Sequence, residues 1–258
     1  MTMSIKEEKF NKWLSAFILI GMIVTVTIIT IFKLQAPDAR KAMLIIAAVG
    51  SCMGVVNSVL SANGNIWTFL FGLIDVILCS IVYFDSGVMG TFALHVLYFL
   101  PMQFVGYWQW RKRGAKTGLE DGEAKKVKAR KLTGRQWLMV AAGLVVGIAV
   151  AYTILYYVDA ARLDPSEIDK SKILLDATVV MLNIMGQVLL SLAFTEQWYI
   201  WTLVNIFSIL LWTNRLMSSG ANSYTIVMVI KYCFYLINSL NGIRIWLKLS
   251  KSDEVEVA

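Results

Sequence analysis

The sequence predicts an all-α polytopic membrane protein. It has eight spanning helices: one peripheral N-terminal helix, then a 3+1+3 core of two parallel three-helix repeats. Three observations carry this. Of 258 residues, 58% are apolar and 16% charged, with a mean hydropathy of +0.65. The charges gather in a few clusters between apolar runs, each near the ~20 residues that cross a bilayer as a helix. A set of glycines and tryptophans also recurs at a nearly constant offset. Helices follow because unpaired backbone groups are too costly in hydrocarbon, and the short alternation of a membrane barrel is absent.

The runs give the spans in order. Residues 13–32 are uncharged and form the first; with no small-residue cleavage site, it is expected to stay as a span. Residues 42–74 are too long for one span, and the turn-forming Ser61-Ala62-Asn63-Gly64-Asn65 divides them. Residues 66–84 carry one charge, Asp75, and residues 86–110 carry one histidine, His95. The later spans are 136–158, 173–195 with Asp176, 197–214, and 216–243 with Lys231. The chain therefore divides into an N-terminal cytoplasmic segment and peripheral helix (1–36), a first repeat (40–110) and a basic loop (111–135). A linker helix (136–158), a second repeat (172–248) and a tail (249–258) follow.

The basic loop sets the orientation. It holds ten Lys/Arg and three Asp/Glu, a net +7 that equals the charge of the whole chain. The positive-inside rule places it in the cytoplasm, together with both termini. The segment 159–172, the turns near Asp85 and at 218–222, and the segment 33–41 then lie outside. The loop reads as a topology determinant that touches anionic lipid headgroups; it lacks the interleaved aromatics of a nucleic-acid surface. Cys52, Cys79 and Cys233 lie on different spans and read as packed thiols. With one histidine and no cysteine cluster, no metal or cofactor site is expected.

The repeat is read from two sets of residues. Gly54, Trp67, Gly87, Gly106 and Trp110 match Gly186, Trp201, Gly220, Gly242 and Trp246 at separations of 132, 134, 133, 136 and 136. On this register the second to fourth spans match the sixth to eighth, and His95 lies opposite Lys231. The fifth span restores the chain direction, which makes the repeats parallel about an axis along the membrane normal. Transporters with parallel repeats hold their substrate between the halves near the midplane.

Candidate binding residues follow from helical spacing. Trp198, Trp201 and Asn205 fall at i, i+3 and i+7, one face of the seventh span. Tyr235, Asn238 and Asn241 share a face of the eighth, and the sixth offers Gln187 with Ser191. The first half offers Asn57, Trp67, Phe69 and Gln103. Indoles supply flat stacking walls and amides supply paired donors and acceptors, so a polar ligand with a flat ring is expected. Asp75 reads as an ion or proton site or, the reading preferred, as a hydrogen-bond acceptor toward a neighbouring helix. No Asp/Glu/His chain crosses the bundle, which argues against strong proton coupling. No phosphate-binding loop, nucleophile elbow or metalloprotease motif is present, so neither an ATP-driven pump nor an enzyme is indicated. A membrane-embedded enzyme or sensor would need paired titratable groups in one cavity.

Several of these residues carry a family resemblance. Gln187, Ser191, Glu196, Trp198, Trp201, Asn205, Asn238 and the Gly242…Trp246 ending resemble the PnuC nicotinamide riboside transporters. So does Gln103 with Gly106-Tyr107-Trp108-Gln109-Trp110; the likeness covers roughly residues 40–248. Phe194 and Thr195 stand where that family has a basic residue. The resemblance implies a fold like the SWEET sugar transporters and facilitated uptake of nicotinamide riboside, trapped afterwards by phosphorylation. It also implies a bacterial inner-membrane location and a ligand held by Trp201 and Asn205, then Gln103, Gln187, Trp67 and Asn238. Relatives of this fold carry thiamine and riboflavin, the alternative substrates. A homotrimer is a further expectation, with the lipid bilayer and the small-molecule substrate as the other partners.

Overall fold

A computed structural model describes residues 4–35, 40–85, 89–119, 122–162, 164–166, 168–217 and 223–256. The expected turn at 218–222 and the middle of the 33–41 segment lie outside the described residues, as does the Gly87/Gly220 pair.

Helix α1 (Ile5–Leu34) opens on a capping box, with Ser4 and Glu7 each accepting from the other's backbone N–H. Helix α2 (Lys41–Ala62) ends where Gly64 takes a left-handed φ of +67°, open to glycine at little cost. Asn65 then accepts from the Trp67 N–H at 3.0 Å and starts the return into α3 (Thr68–Asp85). Helix α4 (Met89–Leu94) passes through a π-helical turn, His95–Phe99, into α5 (Leu100–Lys112). Pro101 accounts for that turn. It has no N–H for the carbonyl four residues back, and the Leu100 N–H reaches five back to His95 O instead.

Within the basic loop, β1 (Lys116–Thr117) pairs antiparallel with β2 (Ala124–Lys125). Helix α6 (Gly134–Ala160) opens on a second capping box, Thr133 with Gln136. Asp169 caps α7 (Lys170–Ser191) by accepting from two backbone N–H groups, and α8 (Gln197–Met217) and α9 (Ser223–Glu256) complete the bundle. Helices α1, α2, α3, α6 and α7 are long and apolar enough to cross a membrane. The chain is a multi-pass membrane protein.

The two halves repeat in structure at an offset of 129 residues. Caps Ser4 and Thr133, helix starts Lys41 and Lys170, ends Ala62 and Ser191, and restarts Thr68 and Gln197 all obey it. So do the left-handed residues, Gly64 and Ala193 (φ +59°). The offset reaches 132 at the ends of α3 and α8 and 136 at Trp110 and Trp246. The expected pairing of Trp67 with Trp201 is therefore out of register: the turn hydrogen bonds pair Trp67 with Glu196, and the same offset sets Gly72 opposite Trp201. Identical tryptophans recur readily in aromatic-rich spans, whereas the hydrogen-bonded turn fixes which positions correspond. In this register α1 matches α6 rather than standing outside the repeat.

Packing follows the same pattern. Helix α1 lies on α2 as α6 lies on α7, and α2 meets α9 as α7 meets α5. The indole of Trp110 donates to Leu190 O at 2.8 Å, and that of Trp246 donates to Ser61 O at 3.0 Å. Each half thus caps the helix end of the other. Around these bonds Phe69, Trp110, Trp198 and Trp246 form an aromatic core at the end that carries the basic loop.

That loop is part of the packing. Its Val127 N–H donates to Gly64 O and its Arg130 N–H to Ala193 O, both at 3.0 Å. Val127 and Ala129 are buried in the aromatic core beneath. The Arg130 guanidinium lies 3.9 Å over the Phe194 ring and donates to Leu192 O. It thereby supplies a cation beside the position where the family pattern has one. Burial and the nearby Arg113 charge draw the Arg130 pKa below its ordinary value. A lipid-facing topology signal would not need these bonds; the segment is a strap across both halves.

Candidate binding cavity

A cavity of ≈ 220 Å³ lies between the halves, lined by α2, α3, α7, α8 and α9. It is smaller than the ~300–1,000 Å³ typical of drug-sized sites, a size that suits only a small molecule. Helix α8 contributes Trp198, Trp201 and Asn205, the predicted stripe, and α7 contributes Gln187 and Asn183. Helix α9 adds Tyr232, Tyr235 and Ser239, and α2 adds Asn57, Ser58 and Ser61. Asp75 enters from α3, about 10 Å above the helix start at 1.5 Å per residue.

Three glycines seat the large side chains. A Cβ on Gly186 would meet the Trp201 ring at 3.0 Å, and one on Gly242 would lie 2.4 Å from that of Trp198. A Cβ on Gly54 would sit 3.0 Å from the Asp75 carboxylate. Glycines that the sequence offers as repeat markers thus make room for cavity walls. Gly143 and Gly147 of α6 behave differently: they face the flexible Met185 and Met181 of α7.

Hydrogen bonding leaves this lining receptive. Asn205 Nδ2 reaches Ser239 Oγ, and Gln187 Nε2 reaches Ser191 Oγ, both at 3.4 Å. Such lengths are at the weak end of the range, so either amide can turn to a better partner at small cost. At the loop end the cavity meets Trp198, Ser61 and Leu190. Trp198 Nε1 and Ser61 Oγ are buried there without a partner, although buried polar groups are nearly always bonded. An accepting and donating ligand would satisfy both.

The remaining predicted residues lie outside this lining. Trp67 donates to Thr117 O of the loop at 3.2 Å. Phe69 packs edge-on against Trp110, at 4.9 Å and 84°, in a notch left by Gly106. Gln103 donates to Phe99 O on its own helix turn and rests on Gly72. Asn238 binds Ser58, with Oγ at 2.8 Å and O at 3.0 Å, and so joins α9 to a lining residue. Asn241 joins Asn11 of α1 and Arg244. Conversely, Ser58, Ser61, Asn183, Tyr232 and Ser239 line the cavity without having been picked from the sequence. The i, i+4 pairs Asn57/Ser61 and Asn183/Gln187, and the run Tyr232, Tyr235, Ser239, were the signals available.

These features define a class: a multi-pass helical membrane protein with a small polar cavity where its two halves meet. Residues 44–248 match the nicotinamide mononucleotide transporter family, and the chain belongs to that family. It is 34% identical over 246 residues to the nicotinamide riboside transporter PnuC of Neisseria mucosa, covering 95% of this chain and 86% of that one. Identity to the Haemophilus influenzae nicotinamide riboside transporter PnuC is 30% over 217 residues, 84% of this chain and 83% of that one. A crystal structure of the vitamin B3 transporter PnuC matches with a TM-score of 0.67 at 33% identity, over 92% of each chain.

Proposed function

We propose that this protein carries nicotinamide riboside across a bacterial inner membrane by facilitated diffusion, binding it in the cavity between the halves. The observation that carries the reading is the lining: two indoles, several amides and hydroxyls, and one carboxylate. The riboside presents a flat cationic pyridinium, a carboxamide and ribose hydroxyls, a matching set. The phosphorylated nucleotide fits worse, because no Lys or Arg is among the described lining residues and Asp75 would face its phosphate. The relatives named above, both riboside transporters, support the same choice.

In this reading the chain crosses the membrane eight times, with α2–α5 and α7–α9 as the moving repeats and the corresponding helices α1 and α6 each preceding one of them, α6 also linking the two. Both termini and the strap are cytoplasmic. The aromatic core and strap close that side, so ligand reaches the cavity from the other. The proposed assembly is a homotrimer, which its mass in detergent checks.

Liposomes containing only this protein should take up labelled nicotinamide riboside, saturably, and should exclude its 5′-phosphate. Thiamine is also a flat cation and would find the same partners, so it belongs in the competition panel; the three-ring riboflavin is large for ≈ 220 Å³. Uptake competed by thiamine and not by the riboside would overturn the substrate assignment.

A further inference from the structure

Asp75 is the only residue with a formal charge among the described lining residues. Its hydrogen bonding among the described residues is sparse. One carboxylate oxygen accepts from the Cys79 thiol at 3.2 Å, a weak donor, and no described residue gives it a second hydrogen bond. Lys231 and Tyr235 of α9 face it electrostatically, while Tyr232 of the same helix and Tyr83 of α3 face Lys231. Lys231 does not close a salt bridge with it; its ammonium lies instead 5.4 Å over the Tyr235 ring. Gly54, across on α2, makes room for the carboxylate itself, which a Cβ there would meet at 3.0 Å. A purely structural aspartate at this depth would be expected to collect strong donors, since an under-paired charge in a span is costly.

We infer that Asp75 is the counter-charge for the ligand's cationic ring, and that the ring approaches the carboxylate more closely than Lys231 does. This rests on the nicotinamide riboside reading and adds to it the residue that selects for charge. The lysine holds the cavity near neutrality when no ligand is present. On binding, the pyridinium lies between the indole wall and the carboxylate, and Lys231 stays against Tyr235. The ligand's charge, rather than its shape alone, then becomes a condition of tight binding.

The test compares two ligands of nearly one shape: nicotinamide riboside and its uncharged dihydropyridine form, by calorimetry on folded, monodisperse protein. The ring nitrogen bears the ribose and has no N–H, so the attraction is that of an ion pair, which at ~4 Å and an effective dielectric near 20 is worth more than about tenfold in affinity. Asp75→Asn should therefore weaken the cationic ligand by at least about tenfold while moving the uncharged one less than about twofold. Lys231→Met should leave the preference for the cation intact. Equal losses for both ligands, or no loss for either, would overturn the inference and leave Asp75 a role in folding. Should Asp75→Asn not fold, the wild type still decides, because equal affinity for the two ligands overturns the inference. A wild-type protein that binds neither ligand removes the riboside reading and this inference together.

Discussion

Trp201 and Asn205 lie about one helical turn apart on α8 and both line the cavity, one as a stacking surface and the other as an amide on a long, weak bond. A desolvated cation–π contact contributes about 2 kcal/mol or more, so Trp201→Ala should weaken riboside binding by at least roughly thirtyfold. A neutral hydrogen bond contributes about 0.5–1.5 kcal/mol, so Asn205→Ala should cost a few-fold to about tenfold. Trp201→Phe should recover part of the loss. Trp13→Ala on the exposed face of α1 (63% exposed) is the control and should bind normally. Calorimetry checks all four, and wild-type affinity in Trp201→Ala would place the ligand elsewhere. This stripe was legible in the sequence because its large residues fall at i, i+3 and i+7. The small lining residues were not: a lone serine such as Ser58 or Ser239 looks the same whether it faces a cavity or bonds its own helix. Trp67 and Phe69 were misleading for the opposite reason, because an aromatic at a helix start serves a packed end as readily as a ligand.

At the scale of elements, the spans were legible because hydrocarbon imposes length and composition on every helix, while the register between halves was not. Hydrogen-bonded turns set that register, and the turn of the second half is closed by Ala193 where the first has Gly64. An alanine in a left-handed conformation leaves no glycine signal to read. Helix contacts, by contrast, turn on single glycines. Gly242→Ala would put a methyl 2.4 Å from the Trp198 ring, a rigid group in a packed core. Overpacking of this kind costs about 1–3 kcal/mol, so the melting temperature in detergent should fall and the cavity end beside Trp198 should distort. Gly143→Ala meets only the end of Met185 at 3.4 Å and removes a helix penalty of up to about 1 kcal/mol. It should melt at or above the wild-type temperature. The reverse order would mean that these glycines do not set the packing.

For the whole molecule, the described spans bring no chain of carboxylates across the bundle, and the one lining carboxylate is assigned to the ligand rather than to an ion. Uptake into liposomes should therefore equilibrate at the outside concentration, whether or not a proton or sodium gradient is imposed. Accumulation that depends on either gradient, with no trapping kinase present, would show that Asp75 carries an ion. The sequence anticipated the two-part plan and the end that bears the charge, because both are written in hydropathy and in Lys/Arg counts. It did not reveal that the charged loop is built into the fold, since backbone-to-backbone bonds from Val127 and Arg130 depend on no side-chain pattern.

Those two bonds act as a ruler. Gly64 and Ala193 sit at corresponding corners of the two halves, and both are gripped by one stretch of chain whose grips are three residues apart. Three residues reach at most about 10 Å when fully extended, so while both grips hold, the corners cannot part beyond that reach plus the two bonds. The opening on this side is thus limited by a length written into the backbone, whatever the affinity of the ligand. A wider passage requires one grip to let go.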